Sequence, residues 1–114
     1  MATVLVVDDE FLIRMNAVHL FEQAGYTVLE AANADAAIEL LETRKDIEIV
    51  FSDVQMPGSM DGIRLLNVIR DRWPPVRVIL TSGKALARDA ELPQGARFIL
   101  KPYNFEDVQA ALAA

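Results

Sequence analysis

Hydrophobic residues in this chain fall into short unbroken runs separated by stretches with helical spacing. Thr3 to Asp8 (TVLVVD) is β-branched and aliphatic without strict alternation, the pattern of a strand covered on both faces. In Phe11 to Ala24, Ile13, Ala17, Leu20, Phe21 and Ala24 recur at helical spacing, and Gly25 supplies a left-handed stop. The unit then repeats. Thr27 to Glu30 reads as a second strand, and Asn33 can cap a helix running to about Lys45, with Ile38 and Leu41 turned inward. Ile47 to Asp53 reads as a third strand, followed by a loop forced by Met56-Pro57-Gly58-Ser59. Asp61 offers an N-cap to a helix carrying Ile63, Leu66 and Ile69. Trp73-Pro74-Pro75 ends that helix, because neither proline nitrogen can donate and the residue before a proline is steered away from helical dihedrals. Val76 to Thr81 is a fourth strand. Lys84 to Leu92 is weakly helical and is cut by Pro93 and Gly95; Phe98 to Leu100 is a fifth strand, and Asn104 caps a last short helix.

Five strands alternating with five helical segments predict an α/β fold, a parallel sheet with helices on both faces and right-handed crossovers. In such sheets ligands sit beyond the carboxyl ends of the strands, near the point where strand order reverses. Those ends carry Asp8 and Asp9 after the first strand, Asp53 closing the third, Thr81 closing the fourth and Lys101 after the fifth. All the chemically capable groups are expected on one rim.

With 114 residues the chain has room for one domain, 1–114, and not for two that each build a core. Although 53% of its residues are hydrophobic, charges interrupt every apolar run well short of the ~18 residues a membrane span needs. Met1-Ala2-Thr3 passes straight into the first strand without a basic leader, so a cytoplasmic location and no membrane partner are expected. The absence of cysteine excludes disulfides and thiolate chemistry. A net charge of −6 argues against a nucleic-acid partner. Arg14, Arg44, Arg64, Arg70, Arg72, Arg77, Arg88 and Arg97 are scattered among acids and read as ordinary solvated surface.

Each candidate site residue has a plain reading when taken singly. Asp8-Asp9-Glu10 could merely complement a helix dipole, worth ~0.3–1 kcal/mol. Asp53 could cap a turn, Thr81 could serve β propensity, and Lys101 could be a surface lysine. In combination these readings weaken. Carboxylates converging on one rim raise one another's pKa unless a cation neutralises them. Hard oxygen donors with no histidine or cysteine nearby suit Mg²⁺. Lys101 then becomes a counter-charge for a phosphate oxygen and Thr81 a hydroxyl donor to it, while Ser82 and Gly83 leave room for the phosphate. Pro102 is a candidate for a cis peptide that aims the lysine. His19 lies opposite the apolar face of its helix and reads as solvated surface; Phe98 alone reads as a core strand residue.

Together, Asp8-Asp9, Asp53-Val-Gln-Met-Pro with Met60-Asp61-Gly62, Thr81-Ser82 and Lys101-Pro102 resemble the receiver domains of bacterial two-component response regulators, over nearly the whole chain. The Asp-Glu-Phe-Leu-Ile-Arg-Met stretch and the Lys-Pro-Tyr ending are similar to single-domain receivers of alphaproteobacteria. The resemblance implies a flavodoxin-like (CheY-like) doubly wound sheet with strand order 2-1-3-4-5. It implies Asp53 as phospho-acceptor, Asp9 as a direct Mg²⁺ ligand, Asp8 as a ligand through water, and the Gln55 carbonyl as a further ligand. Thr81 would bind the phosphoryl group, Lys101 would pair with it, and Phe98 would be the aromatic switch. Self-phosphorylation and self-dephosphorylation are the only activities expected. A sensor histidine kinase or phosphotransfer protein would be the donor, an unnamed protein the target, and the chain a monomer or weak dimer. Two departures stand out: the Pro57 to Gly62 loop is one residue longer than the commonest form, and the fourth helix is short or irregular. Two other classes remain open. One is a small aspartyl-phosphate phosphatase with Asp8 as nucleophile, disfavoured by Glu10 where a second Asp is expected. The other is a phosphorylation-independent interaction module on the same fold.

Overall fold

Every residue of the first strand is buried, as its unbroken apolar run predicts for a strand sandwiched between two helical layers. The computed structural model describes residues 2–56, 58, 60–83 and 96–113. In chain order the elements are β1 (Thr3–Val7), α1 (Phe11–Gln23), β2 (Thr27–Ala31), α2 (Ala34–Thr43), β3 (Ile47–Asp53), α3 (Gly62–Arg72), β4 (Arg77–Ser82), β5 (Arg97–Leu100) and α4 (Phe105–Ala113). The strands form one parallel sheet in the order β2-β1-β3-β4-β5. The helical stretch expected at Lys84 to Leu92 lies outside the described residues.

Alternate side chains of the central strands feed two cores. Leu5, Val7, Val50 and Leu80 pack with Ala37 and Leu41 of α2 and Leu65, Leu66 and Ile69 of α3. On the other face, Val4, Val6, Phe51 and Ile79 pack with Ala17, Val18 and Phe21 of α1 and Val108 and Ala111 of α4. An aromatic stack runs through this second core, with Phe21 against Phe51 at 5.1 Å and Phe51 edge-on to Tyr103 at 5.3 Å.

Helix ends fall where the residue types place them. Asn33 accepts a hydrogen bond from the Ala36 N–H and Asp61 from the Arg64 N–H, each satisfying an orphan donor of a first turn. Asn104 and Asp107 bond each other's backbone N–H at the start of α4. Gly25 takes φ +96° after α1, a conformation that costs glycine nothing. The inward face of α1 differs from the expected one: Val18 is buried, while Ile13 and Leu20 are only half-buried. Among the described residues no helix is long and apolar enough to cross a membrane.

Candidate functional site

The sheet order sets β1 and β4 on either side of β3, so the chain leaves all three strands at one rim. Leaving β1, it reaches Asp8, whose Oδ1 accepts the Glu10 N–H at 2.9 Å and holds the carboxylate over the entry to α1. One turn into α1, Arg14 donates from Nη1 to the Asp8 carbonyl at 2.8 Å and from Nε to Glu30 at 2.9 Å. Its side chain is only 15% exposed, which corrects its reading as solvated surface: it ties the turn carrying Asp8 and Asp9 to β2. Asp53 ends β3 and accepts the Gln55 N–H on Oδ1 at 3.1 Å. Oxygens of Asp8, Asp9 and Asp53 all lie within 4.8 Å of one another.

Lys101 enters this cluster from the far edge of the sheet. Its backbone N–H donates to the Ser82 carbonyl at 2.9 Å, and its Nζ donates to Asp53 Oδ2 at 3.0 Å and Asp8 Oδ2 at 3.3 Å. The peptide between Lys101 and Pro102 is cis, as expected. Burial raises the Asp8 pKa, and Asp53 adds to the effect against the opposing pull of the Glu10 N–H and Lys101. For Lys101 burial acts against the charged form, but the hydrogen bond to Asp53 and the fields of both acids leave its pKa above the ordinary value. The lysine is thus the resting counter-cation of a crowded acidic niche.

Thr81 stands beside Asp53 in the β3–β4 ladder, fully buried, and its Oγ1 has no hydrogen-bond partner among the described residues. Such a hydroxyl forgoes its hydration without compensation. Gln55 is exposed and engages the cluster through its backbone N–H. Phe98 is not part of the cluster. It pairs with Leu80 in the β4–β5 ladder, half-buried against the α2 and α3 side of the sheet. His19 is exposed, as expected. Three contributors were quoted within sequence motifs but given no structural role there: Arg14, Tyr103 and Gly62. Gly62 opens α3, donates its N–H to the Val54 carbonyl at 2.8 Å, and packs so tightly that a Cβ would stand 2.2 Å from the Asp53 carbonyl oxygen. The only local signals were helical spacing from Glu10 to Arg14, the aromatic following Lys101-Pro102, and the glycine after a capping aspartate.

Three converging carboxylates form an all-oxygen donor set, which fits Mg²⁺. Beside the niche a cleft of about 490 Å³ is bounded by Leu12, Ile13, Asn16, Lys101 and Tyr103 among others. The family model of the response regulator receiver domain matches residues 4–113. The chain belongs to this receiver family. Its relatives include the sensor kinase CckA of Brucella abortus, 42% identical over 96% of this chain and 12% of the relative. Another is the positive alginate biosynthesis regulatory protein of Pseudomonas aeruginosa, 35% identical over 96% of this chain and 45% of that protein. The receiver therefore spans less than half of either relative. Among solved structures, the receiver of the hybrid histidine kinase CckA is similar at a TM-score of 0.80 and 32% identity, covering 98% of this chain and 96% of that one. The response regulator TrrA of Thermotoga maritima, in complex with Mg²⁺ and BeF, reaches 0.88 at 26% identity, covering 99% and 97%. The CheY-like fold and the order 2-1-3-4-5 agree with the resemblance.

Proposed function

We propose that this receiver accepts a phosphoryl group on Asp53 from a phosphohistidine of a sensor kinase or phosphotransfer protein. The reaction is Mg²⁺-dependent, and the signal leaves by protein contact or onward phosphoryl relay. The observation that carries this reading is the convergence of Asp8, Asp9 and Asp53 within 4.8 Å. A domain without such chemistry has no evident need to crowd three acids together. Asp9 directly, Asp8 through water, Asp53 and the Gln55 carbonyl would hold the cation, which when bound would neutralise the acids and the charge gathering on the phosphoryl oxygens.

An Asp53 carboxylate oxygen attacks phosphorus in line with the leaving imidazole nitrogen. The P–O bond forms as the P–N bond breaks, and the imidazole keeps the electron pair and takes up a proton. Little covalent work falls to the protein, so positioning dominates. Lys101 turns to a phosphoryl oxygen, and the unpartnered Thr81 hydroxyl donates to another. Phe98 changes rotamer together with Thr81. The donor docks on α1, where Phe11 is 61% and Leu12 80% exposed immediately after Asp8 and Asp9, an apolar surface on the lip of the cleft.

Incubation with acetyl phosphate and Mg²⁺, read by intact mass, tests the acceptor. Phosphoryl mass is expected on wild type, absent from Asp53→Ala, and retained at reduced yield in Asp8→Ala. Labelling that survives in Asp53→Ala and vanishes in Asp8→Ala would point instead to Asp8 as a phosphatase nucleophile. A wild-type amide spectrum unmoved by both acetyl phosphate and beryllofluoride in Mg²⁺ would leave the phosphorylation-independent module as the better reading.

A further inference from the structure

Helix α1 begins without a cap of its own. Glu10 holds the N-cap position, and its side chain bonds none of the free N–H groups of the first turn. The turn from β1 into α1 is secured instead by bonds that converge on Asp8. Its N–H donates to the Ala31 carbonyl at 3.1 Å, its Oδ1 accepts the Glu10 N–H at 2.9 Å, and its Oδ2 accepts from Lys101 Nζ at 3.3 Å. Asp9 has no such support. Its side chain is exposed and accepts no hydrogen bond among the described residues, yet one of its carboxylate oxygens lies within 4.8 Å of oxygens of Asp8 and Asp53. Its place in the cluster is therefore set by the backbone that presents it. Arg14 grips that backbone. The Asp8 carbonyl, which accepts from Arg14 Nη1 at 2.8 Å, belongs to the peptide that joins Asp8 to Asp9. A peptide unit is planar, so holding its oxygen also holds the Asp9 N–H and Cα. The guanidinium is itself anchored: Nε donates to Glu30 of β2 at 2.9 Å, and the Phe11 ring lies 5.5 Å away.

We propose that Arg14 is the positioning residue of Asp9: by clamping the peptide between Asp8 and Asp9 to Glu30, it holds the Asp9 carboxylate ready for the divalent cation. This rests on the reading of Asp9 as a direct cation ligand. The donors of Arg14 go to the Asp8 carbonyl and to Glu30, not to the carboxylates of the cluster, so it acts on the cation only through the backbone. The planar guanidinium offers two donors at a fixed angle, which a lysine ammonium does not, and so refers one particular peptide to the frame of β2. Without the clamp, Asp9 has to be gathered in as the cation binds. Groups that orient metal ligands are typically worth about 10–100-fold in metal affinity; Arg14 steers one ligand of several, which puts it at the lower end.

Arg14→Met removes both donors and keeps an unbranched apolar stem beside Phe11. Two quantities are compared with wild type: the dissociation constant for Mg²⁺ alone, from amide shifts on titration, and the backbone ¹⁵N order parameters of the metal-free protein. The variant is expected to bind Mg²⁺ about tenfold less tightly. Its order parameters fall at Asp9 and Glu10 and stay as in wild type at Asp53 and Gln55. Arg14→Lys keeps the charge without the fork and is expected to lose about fivefold in Mg²⁺ affinity; should Arg14→Met not fold, it decides alone on the same two readings. Mg²⁺ affinity within about twofold of wild type in Arg14→Met overturns the proposal. Full affinity in Arg14→Lys overturns it too, since charge alone would then suffice. Loosening at Asp53 and Gln55 as great as at Asp9 also overturns it, because Arg14 would then be a general prop of the fold. Failure of wild type itself to bind Mg²⁺ strikes the reading of Asp9 as a ligand, and this inference with it, and is seen without any variant.

Discussion

Replacing Gly62 by alanine adds a single methyl group where the start of α3 presses on the end of β3. The new Cβ would stand 2.2 Å from the Asp53 carbonyl oxygen, 2.8 Å from Val54 Cα and 2.9 Å from the Asp53 carbonyl carbon. Comfortable carbon contacts begin near ~3.5 Å, so the overlap exceeds an ångström at its worst and involves only backbone. No flexible side chain can swing away. The first turn of α3 must retreat, straining the 2.8 Å bond from the Gly62 N–H to the Val54 carbonyl. Overpacking of this kind costs about 1–3 kcal/mol, a weakened buried hydrogen bond adds roughly 0.5–1.5, and the lower entropy of the unfolded alanine chain returns about 0.4–1. The central net loss is about 2 kcal/mol, which for a domain near this size lowers the melting temperature by roughly 10 °C. Because the displaced carbonyl belongs to Asp53, labelling by acetyl phosphate should fall at temperatures where the variant is still folded. Calorimetry and intact mass on the same preparation check both parts. A midpoint within about 2 °C of wild type, with full labelling, would refute the reasoning.

Three further outcomes are expected. Asp8→Asn in metal-free buffer raises the unfolding midpoint, by roughly 0.5–2 kcal/mol in stability, because burial disfavours the charged Asp8; the same change weakens Mg²⁺ binding in calorimetric titration, and a lowered metal-free midpoint would contradict the argument. Arg44 first, then the Thr3 hydroxyl, holds the Asp46 pKa below its ordinary 3.8. Its stabilisation is therefore present above pH 3.8 and lost as pH falls through the lowered value, so the gap in urea midpoint between wild type and Asp46→Asn, open at neutral pH, should close in acid. Leu12→Glu, on the exposed lip of α1, slows transfer from a phosphohistidine donor about tenfold while acetyl phosphate labels it as well as wild type; equal slowing of both reactions would argue against a docking role.

Legibility in the sequence followed the range of the interactions involved. β1 was readable because a strand covered on both faces leaves an unbroken apolar run, β3 because Ile49, Val50 and Phe51 form a shorter one, and their acids were readable because strand ends share a rim. Asn33, Asp61 and Asn104 were readable because capping is settled within one turn. α1 was harder. Phe11, Leu12 and Met15 are apolar yet exposed, so hydrophobic residues occur around much of the helix and periodicity alone mistook which ones turn inward. Arg14 looked like a surface charge because its acceptors are a backbone carbonyl and a residue of β2, neither visible in local spacing. Gly62 and Tyr103 matter through distances closed only by folding. The predicted irregular fourth helix lies outside the described residues, and Phe98, expected to switch together with Thr81, pairs with the neighbouring Leu80.

Lys101 meets Asp8 across 93 positions of chain and Asp53 across 48. Contacts of such sequence separation are among the slowest to form, because the intervening chain must first be ordered. A nascent chain that has released β1 and β3 but not β5 carries its acids without their lysine. On the proposed reading of Asp53, a copy whose β5 has not yet closed lacks the one lysine that holds Asp53 and Asp8 together in the folded site.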